Sequence, residues 1–309
     1  MYIIRGLKNL PEPFRGAVVT IGNFDGVHLG HQALIHTLKE LARLHLGAMV
    51  LAITFEPHPQ QLLNPALAPL RISGLRGKTR WLALAGVDGV FILRFNKELA
   101  ALTPENFVKH FLVQGLGIRE LLVGENFRFG AGGRGNLALL DQIGQKEGFG
   151  VHISPLTKIA GEVVSSSRVR QVVANGELDL AQQLLGHPFE IEGRVVTGHG
   201  RGRDMGFPTA NISLSGLLHP PSGVYIVEAL IDHKWLPGVA NLGHNPTFGA
   251  DPLRFEAHLL ADCGNIYRRI VRFRLCKWLR PEIKFADRKA LCRQIDLDIA
   301  ETRTFFLQK

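Results

Sequence analysis

Within Gly22-Asn23-Phe24-Asp25-Gly26-Val27-His28-Leu29-Gly30-His31, two histidines stand three residues apart among three glycines. These residue types suit chemistry at phosphorus: glycines let backbone N–H groups approach an anion closely, and imidazoles beside them act as donors or cations. The plainer reading is a glycine turn carrying two surface histidines. A second string, Gly198-His199-Gly200-Arg201-Gly202-Arg203-Asp204-Met205-Gly206-Phe207-Pro208-Thr209-Ala210-Asn211, joins a flexible, cationic half to a rigid Pro-Thr-x-Asn end. Its glycines and arginines can wrap a triphosphate, and the side-chain oxygens of Thr209 and Asn211 are hard ligands suited to Mg²⁺. A basic hairpin loop is the plainer reading here. In Phe255-Glu256-Ala257-His258-Leu259, alternation puts Glu256 and His258 on one strand face, as a solvent-facing polar stripe would also do.

The first string needs a strand before it and a helix after it. Residues 17–21 read as a buried strand and 30–46 carry helical periodicity, so the string occupies the turn between them. Further strands at 48–54, 89–93, 120–123 and 151–154 alternate with helical stretches. One helix opens at Thr103-Pro104-Glu105, with threonine as N-cap and proline at the first helical position, and runs over 106–114. Such alternation predicts a parallel sheet covered by helices, with its ligand crevice outside the carboxyl ends of the strands. Three later segments are placed to reach that crevice. Thr54-Phe55-Glu56-Pro57-His58-Pro59 is a proline-stiffened loop in which His58 is either a ligand contact or an ordinary loop residue. Gly124-Glu125-Asn126-Phe127-Arg128-Phe129-Gly130 offers Asn126 to a base or phosphate and its two phenylalanines to packing. Ser165-Ser166-Ser167-Arg168-Val169-Arg170 opens a helix with hydroxyls and cations, although a serine run also serves as a simple cap. Two lookalikes are set aside. Gly130-x-Gly132-x-x-Gly135 lacks the acidic residue about 20 positions on that a dinucleotide site needs, and reads as a mobile loop; Gly74-Leu75-Arg76-Gly77-Lys78-Thr79 is too short for a P-loop and reads as a helix start.

Past Gly186-His187-Pro188 the pattern changes to short Val, Ile and Phe runs at 190–197, 223–231, 235–241, 253–260 and 270–278, which predict an antiparallel barrel. Residues 287–305, with Asp287 as N-cap, predict a helix packed on it. A chain of 309 residues with 46% hydrophobic content suffices for two domains. No apolar run reaches about 18 residues and the first residues lack the apolar core of a secretory signal, so a cytoplasmic location is expected. Cys263, Cys276 and Cys292 are too scattered for a zinc site or a disulfide scaffold. The net charge of +9 suits nucleic acid or polyanionic small substrates alike; without a block of like charge or a nucleic-acid-binding signature, the second is favoured.

The His-x-Gly-His core of the first string resembles the nucleotidyltransferases that carry that signature. Its full Gly-Asn-Phe-Asp-Gly-Val-His form resembles the adenylyltransferase half of bacterial bifunctional riboflavin kinase/FAD synthetases. The second string resembles the riboflavin kinase signature, and further matching pieces follow in order: Gly223-Val224-Tyr225, Gly238-Val239-Ala240-Asn241-Leu242-Gly243-His244-Asn245-Pro246-Thr247-Phe248, Leu279-Arg280-Pro281-Glu282-Ile283-Lys284-Phe285 and Gln294-Ile295-Asp296. The resemblance covers essentially the whole chain. It implies an α/β Rossmann-like nucleotidyltransferase domain over 1–186, then an antiparallel β-barrel riboflavin kinase domain over 187–309 whose C-terminal helix borders the flavin site. In the first, Gly22, Asn23, Phe24, Asp25, Gly30, His58, Asn126, Ser165, Ser166, Ser167 and Arg168 would hold ATP and FMN. His28, His31 and Arg170 would stabilise the phosphorus as the FMN phosphate attacks the α-phosphate, giving FAD and pyrophosphate, with Mg²⁺ bridging phosphates and Asp25 orienting the turn or assisting the metal. In the second, Gly200, Arg201, Gly202, Arg203, Gly206, Phe207, Pro208, Thr209, Asn211 and Asn241 would hold ATP and flavin. Thr209 and Asn211 would ligate Mg²⁺, and Glu256 would take the proton of the ribityl 5′-hydroxyl. The implied partners are small molecules only, with neither nucleic acid nor membrane, and a monomer is expected. One departure stands out: this chain has Tyr267-Arg268 where the family usually has Tyr-Gly, which puts that turn in question. Two other readings stay open, a transferase with a single working module and a basic RNA-binding protein on a relic enzyme fold.

Overall fold

Six strands, β1 (Tyr2–Arg5), β2 (Val18–Ile21), β3 (Val50–Glu56), β4 (Gly89–Arg94), β5 (Glu120–Gly124) and β6 (Gly150–Ser154), pair in parallel in the order β1-β4-β3-β2-β5-β6. Alternation along them feeds two cores. Val19, Ile21, Leu51, Ile53, Phe91, Leu93, Leu121 and Val123 point to one face, and Val18, Val50, Ala52, Val90, Ile92 and Leu122 to the other. A sheet buried on both faces must be covered twice. The second core is closed by α1 (Leu29–Arg43), through Leu34, Ile35 and Leu38, and by Leu82 of α3 (Leu75–Ala85), while α2 (Pro59–Leu63) follows β3. The first core is closed beyond the short α4 (Lys97–Ala100) by α5 (Pro104–Phe107), which continues as a π-helical stretch, Val108–Leu116, and by Leu140 of α6 (Leu137–Glu147). Thr103 caps α5 as expected, its hydroxyl accepting from Asn106 N at 3.2 Å. Burying each such leucine is worth about 1.5–3 kcal/mol.

The computed structural model describes residues 1–197, 207–243 and 253–308. They group into two units, Met1–Pro69 with Leu75–Ser166, and Leu70–Gly74 with Ser167–Lys309. The first unit also holds the small hairpin β7 (Lys158–Ile159) and β8 (Glu162–Val163). The second holds α7 (Ser166–Ala174) from its second residue onward, α8 (Leu178–Leu185), β9 (Glu190–Val196), β10 (Thr209–Ser213), β11 (Gly223–Ile231), β12 (Lys234–Gly243), β13 (Arg254–Leu259) and β14 (Ile270–Arg280). These six strands close into an antiparallel barrel in the order β10-β13-β12-β11-β14-β9. The final helix α9 (Arg288–Leu307) is capped by Asp287, which accepts from Ala290 N at 2.7 Å. A bidentate pair from Arg280 to the buried Asp298, at 2.9 and 2.7 Å, ties α9 to the end of β14.

Three features differ from the sequence expectation. Residues 2–5 form an edge strand, since their pairing with β4 is non-local and no local pattern announces it. Thr209 and Asn211 lie on a strand, β10, and not on a loop, because pairing with β9 and β13 overrides a run broken by Asn and Ser. The Gly130–Gly135 loop carries local structure the sequence did not announce, a 3₁₀ turn at Ala131–Gly133 closed by a bridge between Phe129 and Gly135. The Gly74–Thr79 string does open a helix, and Phe127 and Phe129 do pack on the core.

Candidate active sites

In the first unit the strand order reverses between β2 and β5, so the loops after these two strands flank a switch point at the carboxyl edge, where open α/β sheets bind ligands. The His-x-x-His string follows β2 and the Asn126 loop follows β5. Gly22 N donates to Ile53 O at 3.0 Å, which pins the string's start to the neighbouring strand. Its middle is bent tightly: Phe24, Gly26 and Val27 have φ of 48°, 78° and 42°. Glycine adopts such values freely, whereas a buried phenylalanine and a β-branched valine there each store about 1–3 kcal/mol of strain. The strained turn presents His28 as N-cap of α1 with no side-chain hydrogen bond to the helix end, which leaves the first N–H groups of α1 uncapped by a side chain.

The two imidazoles stack with centroids 3.7 Å apart and planes 20° apart, and Phe24 meets His31 edge-on at 5.1 Å. His31 has an exposed edge but is otherwise enclosed by packed atoms. That enclosure, the His28 ring and the Lys78 ammonium hold its pKa well below the usual histidine value. His31 is therefore a neutral donor at neutral pH before any anion arrives, which decides between the two protonation states the sequence allowed. Ser166, the last residue of this unit, donates its Oγ to Asp25 O at 2.9 Å. His58 is buried and caps α2, its Nδ1 accepting from Gln60 N at 3.3 Å. Asn126 is exposed at the tip of the β5 loop. Ser165 belongs to this unit, whereas Ser167, Arg168 and Arg170 belong to the other, where Arg170 Nε donates to Leu70 O at 2.9 Å. Also at the carboxyl edge, a cavity of about 720 Å³ is lined by Glu56, Arg94, Asn96, Leu99, Leu102 and Phe111 among others.

Sequence reasoning missed Lys78 and Thr54. Lys78 is fully buried on α3 and donates to Thr54 Oγ1 at 3.2 Å, which donates in turn to Asn23 O at 3.2 Å. No local signal marked it, since only the packed helix shows that residues 77–79 and 82 form its buried stripe.

In the second unit, register builds the site. Asn211 of β10 lies opposite Glu256 of β13, which lies opposite Asn241 of β12, so the three side chains form one row on one barrel face. Phe255 and Ala257 point the other way, into the core. Neighbouring strands are about 4.8 Å apart, so the row spans about 10 Å. Asn241 Nδ2 donates to Glu282 Oε1 at 3.0 Å. Asn211 is buried, its Nδ2 donates to Thr209 Oγ1 at 3.3 Å, and its Oδ1 has no hydrogen-bond partner among the described residues. Leaving such an acceptor unsatisfied costs about 1–3 kcal/mol, which a hard cation would recover. Asn211 and Thr209 thus fit a magnesium ion, while no cluster of three or more His, Cys, Asp or Glu fit for a metal exists among the described residues. Phe207 packs edge-on against His258 at 5.6 Å, and His258 Nδ1 bonds to Pro208 O at 2.9 Å. Gly200, Arg201, Gly202, Arg203 and Gly206 lie outside the described residues, as does 244–248. Tyr225 is buried against Pro221 O, its hydroxyl pushed up to about 12 by that burial, so it is a structural residue of its string. Gly223 is required: at φ 154°, a Cβ would lie 2.6 Å from Trp278 Nε1. Arg268 adopts φ 64°, a left-handed conformation that a glycine takes without strain.

Comparison with known proteins places both halves of the chain in described families. A family model described as FAD synthetase matches residues 10–168, and one described as riboflavin kinase matches 185–306. The chain is 44% identical over 308 residues to a bifunctional riboflavin kinase/FMN adenylyltransferase of Escherichia coli (strain K12), covering 99% of this chain and 98% of that one. It is 41% identical to the protein of the same name from Pseudomonas fluorescens, covering 98% and 97%. A solved structure described as a macrolide-efflux protein from Streptococcus pneumoniae matches with a TM-score of 0.83 at 29% identity, covering 98% of this chain and 99% of that one. No helix among the described residues is long and apolar enough to cross a membrane.

Proposed function

Because the chain belongs to the family of bifunctional riboflavin kinase/FMN adenylyltransferases, we propose that its two reactions are divided along the sequence, FMN adenylylation over 1–186 and riboflavin phosphorylation over 187–309. The enzyme converts riboflavin to FMN and FMN to FAD, using ATP in each step. In the kinase reaction Glu256 accepts the proton of the ribityl 5′-hydroxyl as that oxygen attacks the γ-phosphorus and ADP leaves. Phosphoryl transfer needs little more from the protein than positioning and charge compensation. Thr209 and Asn211 would hold Mg²⁺, which when bound neutralises phosphate charge, and Asn241 and the Gly200–Gly206 string would hold the substrates.

In the adenylyl reaction a phosphate oxygen of FMN attacks the α-phosphorus of ATP, and the bond to the β-phosphate breaks to release pyrophosphate. The uncapped N-terminus of α1, with His28 and His31, donates to the phosphates from one side of the turn. Asn126, Ser165, Ser166 and buried His58 are assigned to ATP and FMN at this edge. Ser167, Arg168 and Arg170 carry the same assignment on the order of their motif alone. The cavity bounded by Leu99, Leu102 and Phe111 is of the right size for a flavin ring. The enzyme acts on small molecules, as a cytoplasmic monomer.

The observation that carries this reading is the row Asn211–Glu256–Asn241, with a buried unsatisfied oxygen at one end. Chromatography of products after incubation with riboflavin, ATP and Mg²⁺ tests it. FMN, FAD, ADP and pyrophosphate are expected; unchanged riboflavin would refute it.

A further inference from the structure

Helix α3 packs against the Asp25–Val27 turn and buries a lysine there. Taking an ammonium out of water opposes folding unless its surroundings use the charge, and one turn later the same stripe is filled by Leu82. Lys78 is linked to the phosphate-handling string by a continuous line, Nζ to Thr54 Oγ1 and Thr54 Oγ1 to Asn23 O, each 3.2 Å. Resting on the reading of that string as the adenylyl-transfer centre, we propose that Lys78 is a positioning residue of the reaction: it fixes the Asn23 carbonyl through Thr54, and its buried charge offsets the negative charge gathered by the bound triphosphate and the departing pyrophosphate. A fixed charge in a poorly solvated site acts over several ångströms, so it works without touching substrate.

The charged and titratable groups around His31 are His28 of its own string and Lys78 from α3, with the buried Asp25 carboxylate in the same turn. Removing Lys78 removes a cation, so the His31 ring should titrate at higher pH, which reports the electrostatic link between the two side chains, while the fall in kcat at an unchanged KM separates positioning from a purely structural role.

The test uses the full chain with Lys78→Met, Lys78→Arg and Thr54→Val. K78M should lower kcat for FMN adenylylation by on the order of 100-fold with KM for FMN within about threefold, and K78R should recover part of the rate. The His31 ring resonance should move to a higher titration midpoint in K78M. A K78M protein with wild-type Trp81 fluorescence and undiminished kcat, or with an unmoved His31 midpoint, overturns the proposal. Should K78M lose that fluorescence, T54V decides, because it breaks the line while keeping the charge: about a tenfold fall supports the proposal and an unchanged rate overturns it. Wild-type protein that makes no FAD from FMN refutes the parent reading and the inference together, whereas active wild type with unaffected variants refutes the inference alone.

Discussion

The two units reach phosphate chemistry by different means. In the first, the two histidines and the amides beside them lie on one contiguous string held by a strained backbone, with three positive φ values in four residues beside a buried lysine. In the second, the working groups sit on ordinary strands, and Asn211, Asn241 and Glu256 meet only because three strands pair in register. A site made of backbone amides must distort the chain to aim them. A site made of side chains across a sheet needs only correct pairing.

If the sites are independent, substitutions should separate the activities. Glu256→Ala should lower FMN formation by about 10³-fold with FMN adenylylation intact, as parallel assays on riboflavin and on FMN would show. Equal loss of both would end the comparison. His31→Ala should do the reverse, lowering FAD formation by about 100-fold at unchanged kinase rate; retained FAD synthesis would remove that imidazole from the mechanism. Filling the carboxyl-edge cavity with Leu102→Trp should raise KM for FMN by about tenfold while KM for riboflavin stays constant, measured by initial rates.

The units should also differ in acid. His31 has a lowered pKa when folded, so between its ordinary value of 6.5 and that lower value the unfolded chain binds the extra proton. Stability of the first unit therefore falls as pH drops below 6.5, by up to about 1.4 kcal/mol per pH unit. Urea titrations followed by Trp81 in a Trp235→Phe, Trp278→Phe background should show that slope, and His31→Gln should flatten it. The smallest effect is expected in the barrel. Arg268→Gly relieves a left-handed arginine whose main-chain bonds to Val195 and Arg194 it leaves in place, and should stabilise by about 0.5–1 kcal/mol in denaturant midpoint.

The same contrast explains what the sequence revealed. The His28–His31 turn was legible because a strand, a glycine-rich turn and a helix follow one another there, and the caps at Thr103 and Asp287 were legible because capping is local. Strand β10 was not, since Thr-Ala-Asn-Ile-Ser becomes a strand only when β9 and β13 flank it. Lys78 was invisible for another reason: a lysine in a helical repeat reads as solvent-facing, and only the packed helix shows it facing inward.

Residues Leu70–Gly74 group with the barrel although more than 90 residues separate them from its main stretch. Arg71 donates its N–H to Gly216 O at 2.9 Å and accepts from Leu218 N at 2.8 Å. Anyone subcloning the kinase as 187–309 therefore discards a strip of main chain that this module borrows from the other half of the gene. The excised fragment would expose bare amide and carbonyl groups beside Leu218, a recipe for inclusion bodies that supplying a peptide of residues 68–76 in trans should relieve.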